Sequence, residues 1–162
     1  YEKEYILPFI HICNHGRTLE DSRYPYLSSV ASLWDSSSPF YVDTVNFSYS
    51  FLSKIFHFNI DKDTNFQMLE VSPYGKVLKL KIGNSTIDGK KFMNLLHLKS
   101  QFLSIIINNQ SISVVTHGWG DALGLSLYGA CHLAENGCSF ANILNYYFPK
   151  VTIGKYIKEL SS

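Results

Sequence analysis

The chain has 162 residues, the size of one domain and long enough to bury a sizeable core. Hydrophobic residues make up 46% and charged residues only 17%, which excludes a disordered chain. The net charge is +1 with Lys and Arg scattered along the sequence, which excludes the broad basic field of a nucleic-acid-binding protein or a basic membrane-surface helix.

No apolar run reaches transmembrane length, and no signal peptide opens the chain. It begins at Tyr1 without Met, in the middle of a strand-like run, and so reads as a processed or truncated piece. Cys13, Cys131 and Cys138 are too few for a disulfide scaffold, although one pair would suffice for a single bridge. Eleven Tyr and eleven Phe are the one compositional bias. Aromatic platforms suit sugar binding, and the plainer reading is a core and its rim.

In chain order, residues 1–12 read as a strand with Pro8 at an edge or bulge. Residues 13–26 form a polar loop, 26–32 alternate as a short strand, and 34–41 read as a loop. Ser48 caps a predicted helix over 49–58, whose Phe51, Leu52, Ile55 and Phe56 share a face. Residues 66–72 and 77–83 make a hairpin about the turn "PYGK". Asp88 caps a helix over 89–98, and 102–107 with 111–116 form a second hairpin. Helices follow over 125–137, closed by Gly137, and 139–148, stopped by Pro149, with a last strand over 151–157. The expected fold is α+β: a single compact domain of antiparallel hairpins with about four helices.

Three groups carry chemistry, each beside a plainer reading. His11, Cys13 and His15 alternate, so a continuing strand would turn all three to one side, where a metal is possible. A fourth ligand is missing, Arg17 lies close by, and no metal is expected. The same residues allow a Cys-His nucleophile, against the usual role of a lone cysteine as a small buried hydrophobe. Glycoside cleavage needs a carboxylic acid beside the scissile oxygen. Glu20, Asp21 and Asp121 are the candidates, and each serves equally as a cap or a solvated group. The glycine-rich stretch 116–130, "THGWGDALGLSLYGA", fits neither phosphate-binding pattern and reads as a turn where main chain approaches another surface.

Three separate segments together resemble the stage II sporulation protein D family, with its amidase-enhancing relatives. "GWGDALGLSLYGACHLAENGCSFANILNYYFPKVTI" follows the family signature G-[WFR]-G-H-G-[VI]-G-[ML]-S-Q-[YW]-G-A, then a helix and "Y..IL.HYY.G". "GKKFMNLLHLKSQFLSI" is similar to the family's "G.eFR..LgL.S..F.i". "PFIHICNHGRTLEDSRYPYLSSVASLWD" is similar to its "pfhs.SgGrT......YPYL.SV...WD". The order and spacing agree, so the resemblance covers essentially all of residues 1–162.

The resemblance implies a lytic transglycosylase that cuts denuded peptidoglycan strands beside a cell-wall amidase. The family's catalytic glutamate lies in an N-terminal helical segment resembling "E.LKAQAVAARTYA", which this sequence lacks, as it lacks the "C....HC"-like zinc segment of some members. The expectation is therefore a C-terminal portion of the family's domain, carrying no catalytic residue and needing no cofactor. Its implied partners are peptidoglycan strands, a cell-wall amidase and an N-terminal fragment of the same protein, with no nucleic acid. The implied location is extracytoplasmic, at the membrane or wall of a Gram-positive spore former. The alternative reading is a non-catalytic glycan-binding or amidase-stimulating module.

The glycan groove is expected along His11, Arg17, Thr18, Trp119, Asp121, Ser126 and Tyr128. Trp119 would stack on a sugar, Arg17 would hold a muramyl carboxylate or an amide carbonyl, and Ser126 and Tyr128 would donate to hydroxyls. Asp121, Ala122, Leu127 and Met93 stand where the pattern has His, Gly, Gln and Arg, which marks the chain as divergent.

Overall fold

The computed structural model describes residues 1–154. Along the chain it has β1 (Ile10–His11), a 3-10 helix (Leu33–Ser37), β2 (Val42–Ser48), α1 (Tyr49–Phe56), β3 (Phe66–Val71), β4 (Val77–Ile82) and β5 (Ser85–Asp88). There follow α2 (Gly89–Leu95), β6 (Leu103–Ile107), β7 (Ser111–His117), β8 (Leu125–Ser126), α3 (Leu127–Glu135) and α4 (Phe140–Tyr147). The architecture is α+β in one compact domain, with antiparallel three-stranded sheets β2-β7-β6 and β3-β4-β5 and a short parallel pair β1-β8.

The hairpins arise where the sequence alternates. In β7, Ile112, Val114 and Thr116 are buried and their neighbours are not, which turns one face of the central strand to the core. The helices begin at side chains that satisfy free main-chain donors. Ser48 accepts from Phe51 N, Asp88 from Lys91 N and Ser139 from Asn142 N. The first core gathers Phe47, Leu52, Leu80, Phe92, Ile112 and Val114 between α1, α2 and the two sheets. Each such side chain contributes about 1.5–3 kcal/mol by leaving water. A second core, with Leu27, Leu123, Ile143, Tyr147 and Phe148, joins the first thirty residues to α3 and α4.

Several expectations fail for identifiable reasons. The strand predicted over 1–12 shrinks to Ile10–His11, because the strand it pairs with, β8, has only two residues. The strand predicted over 26–32 is only the Arg17–Ala31 bridge, and the loop over 34–41 holds the 3-10 helix. β2 and β5 were not expected: β2 buries only Phe47 along its seven residues and β5 has just four, none of them buried, so neither carries a strong apolar alternation. Phe51 is exposed, although Leu52, Ile55 and Phe56 do face the core. No strand forms over 151–154, and the rest of the strand expected at 151–157 lies outside the described residues.

Candidate functional site

The two cores meet at a groove of ≈630 Å³. Its walls come from the polar loop (Leu19, Glu20, Asp21, Arg23), the β3–β4 turn (Ser72, Pro73, Tyr74, Lys76), α2 (Lys90, Met93), the approach to β6 (Lys99, Gln101) and the glycine-rich turn (Gly120, Asp121, Leu123). Main-chain bonds lock that turn against residues 9–13: Trp119 N donates to Cys13 O at 2.8 Å, Ile12 N to Trp119 O at 3.0 Å and Leu125 N to Phe9 O at 3.0 Å.

Gly120 and Gly124 have positive φ, and a Cβ on either would run into His11 or the Phe9 carbonyl. The close main-chain approach expected of this stretch is thus against the protein's own first strand. Ala122, where the family pattern has glycine, still adopts the left-handed conformation at φ 63° and is buried. The turn keeps its path and bears the strain of a Cβ in that region.

Of the seven expected residues, Asp121 lines the groove and two others stand at its edge. Trp119 is 39% exposed, packed edge-on to Phe40, with the Lys99 ammonium 4.9 Å from its ring centre. Arg17 donates from Nε to Ser29 Oγ at 2.8 Å and holds its guanidinium 5.6 Å from the centre of the groove-lining Tyr74 ring. Asp121 is exposed and accepts from Leu123 N through Oδ1.

The other four face elsewhere. Thr18 is fully buried, donating to Ser28 O and accepting from Val30 N. Ser126 is fully buried and caps α3 by accepting from Gly129 N. Both hydroxyls are engaged by main chain, and neither residue lines the groove. Tyr128 lies outside the groove lining and donates to Ser37 O at 3.0 Å. His11 is buried, with Nδ1 3.0 Å from Leu123 O. A carbonyl only accepts, so that nitrogen carries the ring proton. Burial pushes the His11 pKa down, against the Leu123 carbonyl and the charges of Asp35 and Asp121. It is a neutral tether for the turn.

The "HICNH" group does not assemble. Among the described residues, no three His, Cys, Asp or Glu side chains come together to hold a metal ion. Cys13 is 1% exposed, and burial raises its thiol pKa, the reverse of what a thiolate nucleophile needs. All three cysteines are free thiols.

The groove also contains what the sequence did not single out: Arg23, Lys76, Lys90 and Lys99, in the same lining as Glu20, Asp21 and Asp121. Two cations are already committed. Arg23 grips Asp21 through Nη2–Oδ2 at 2.6 Å and Nε–Oδ1 at 2.9 Å, and this holds the Asp21 pKa down to about 2. Lys99 pairs with Asp43 at 3.2 Å. The lysines come from three separate segments, so no run betrayed them. The only signal was the "PYGK" turn, read as a turn and no more.

No family profile matches the chain. It is 33% identical over 141 residues to stage II sporulation protein D of Bacillus amyloliquefaciens, covering 86% of this chain and 41% of that protein. It is 30% identical over 135 residues to the protein of the same name in Bacillus subtilis strain 168, covering 83% and 39%. The chain belongs to the stage II sporulation protein D family. It spans about two fifths of the length of these relatives. Over 58 residues it is also 33% identical to an amidase enhancer of Bacillus subtilis, covering 36% of this chain and 8% of that protein. Of the departures from the pattern of the stage II sporulation protein D family, Asp121 and Met93 both line the groove, whereas Leu127 is 47% exposed on α3. Among the described residues no helix is long and apolar enough to cross a membrane.

Proposed function

We propose that this chain acts at the bacterial cell wall and that its groove holds a peptidoglycan glycan strand, as the C-terminal, strand-binding portion of a lytic-transglycosylase-type protein. The carrying observation is the groove itself. An open channel of ≈630 Å³ has the exposed Trp119 ring at one edge and the Arg17–Tyr74 stack at another, with cations and carboxylates between them. Sugar rings present apolar faces to aromatic side chains and hydroxyls to charged ones, and such a channel offers both. The names of the sporulation and amidase-enhancer relatives support a cell-wall role.

Binding is better supported than cleavage by these residues alone. Asp21, held at about 2 by Arg23, stays ionised at neutral pH and has no proton to give a leaving sugar oxygen. Strand cleavage, on this reading, belongs to the acid of the family's N-terminal helical segment. A second reading, stimulation of a wall amidase, is favoured by the 58-residue similarity to an amidase enhancer.

Co-sedimentation with purified glycan strands tests the proposal. The chain is expected to pellet with strands, and Trp119→Ala and Arg17→Ala are each expected to weaken binding several-fold without lowering the melting temperature. Unchanged binding by both variants would refute this placement of the groove.

A further inference from the structure

We propose that Lys76 is the specificity-determining cation of the groove, pairing with the free carboxylate of an acidic sugar in the bound strand. This rests on the glycan reading above and adds what the groove selects. Lys76 follows the β3–β4 turn, where its N–H donates to Ser72 Oγ at 3.1 Å and its carbonyl accepts from Ser72 N at 2.8 Å. The next residue, Val77, is bonded in both directions to Gln101, through N–H to the main-chain carbonyl and through its own carbonyl to Nε2. The base of the side chain is therefore fixed before any ligand arrives.

Most of the charges around it have partners, and Glu20, which has none among the described residues, is exposed. Both Asp21 oxygens are taken by Arg23, Lys99 is taken by Asp43 and the Trp119 face, and Asp121 spends one oxygen on Leu123 N. Lys90 is the other unpaired cation of the lining, but it is exposed on α2, where water and salt screen it. Among the four cations of the groove lining, Lys76 alone is half-buried with no ion pair or side-chain hydrogen bond to the described residues. Burial lowers its pKa, with Lys90 and Arg23 acting the same way and Asp121 and Asp21 opposing.

A partly desolvated charge without a partner is costly, and an anion delivered by a ligand removes that cost. A neutral amide at the same position gives a weaker, uncharged contact. The groove thereby distinguishes a strand with free carboxylates from one whose carboxylates are capped as amides.

The test measures binding of the full chain to three probes. These are glycan strands stripped of their peptides, the same strands after conversion of the carboxylates to methylamides, and chitin oligosaccharides, which carry no carboxylate. Wild type is expected to prefer the free-carboxylate strands by roughly tenfold, the scale of one charge-assisted hydrogen bond. Lys76→Gln and Lys76→Met, the second keeping the apolar stem, are expected to lose that preference by weakening only the free-carboxylate binding. Lys76→Arg should retain it, and Lys90→Gln should change it little. A wild-type protein that binds stripped and amidated strands equally, or a Lys76→Gln protein that keeps the preference, overturns the assignment and leaves glycan binding standing. A wild type that binds no strand at all removes the glycan reading and the assignment with it. The wild-type comparison needs no substitution, so it decides even if a variant misfolds.

Discussion

Replacing Gly129 by alanine should destabilise this protein, although the same exchange inside an ordinary helix stabilises by about 1 kcal/mol. Gly129 lies in the first turn of α3, where the helix rests on a buried polar contact between Ser32 Oγ and Tyr147 Oη at 2.9 Å. A Cβ there would overlap the Tyr147 hydroxyl and fall 2.6 Å from Trp34 Nε1 and 2.7 Å from Ser32 Oγ. Something must move, and both Ser32 and Tyr147 are fully buried. Forcing a methyl into a filled core costs about 1–3 kcal/mol. Breaking the Ser32–Tyr147 bond and leaving a buried hydroxyl unpaired costs about 1–3 kcal/mol more. After subtracting the helix-propensity gain, the expected loss is about 3 kcal/mol, or a melting temperature lower by roughly 6–12 °C at this chain length. Thermal unfolding followed by far-UV circular dichroism reads it directly. A variant as stable as wild type, or more so, would show that α3 does not pack on Ser32 and Tyr147 as described.

Ser126→Ala removes the cap of α3 and should cost about 1–2 kcal/mol in urea denaturation. If the hydroxyl instead served a sugar, stability would hold and strand binding would fall. The Asp21–Arg23 pair has a pH signature. The folded Asp21 pKa of about 2 lies below the ordinary 3.8, so the pair stabilises the fold fully above about pH 4 and loses its effect as pH falls towards 2. Arg23→Gln should return the Asp21 titration to the ordinary carboxylate range, read by NMR of its side-chain carboxyl. With Arg23 75% exposed, only a small change in overall stability should accompany it.

Local signals in the sequence translated well wherever the partner was also local. The caps at Ser48 and Asp88 and both hairpins depend on residues a few positions apart, and each forms as expected. What failed depended on distant partners. The length of β1 is set by β8, more than a hundred positions away, and β2 is a strand because β7 pairs with it. In the site, the signature located the turn that carries Trp119 and Asp121. It could not say that the Thr18 and Ser126 hydroxyls turn inward, because residue type does not fix direction. Lys76, Lys90 and Lys99 were invisible as a group, since only the folded chain brings the β3–β4 turn, α2 and the approach to β6 to one opening.

The two cores differ in how the chain must assemble them. The first draws its buried residues from the stretch between Phe47 and Val114, most of them in two hairpins and the helices beside them, with β2 joined through β7. The second unites opposite ends of the chain: Ile10 pairs with Leu125, and the Ser32–Tyr147 bond spans 115 positions. Contacts of long sequence separation form slowly, because the loop must close before they contribute. The contiguous half is thus expected to form early and to protect its amides best against hydrogen exchange, while the end-to-end half docks last and opens first. The groove has one wall on each, so it exists only after that final docking, and a bound strand would act as a clasp that slows the opening of the later half.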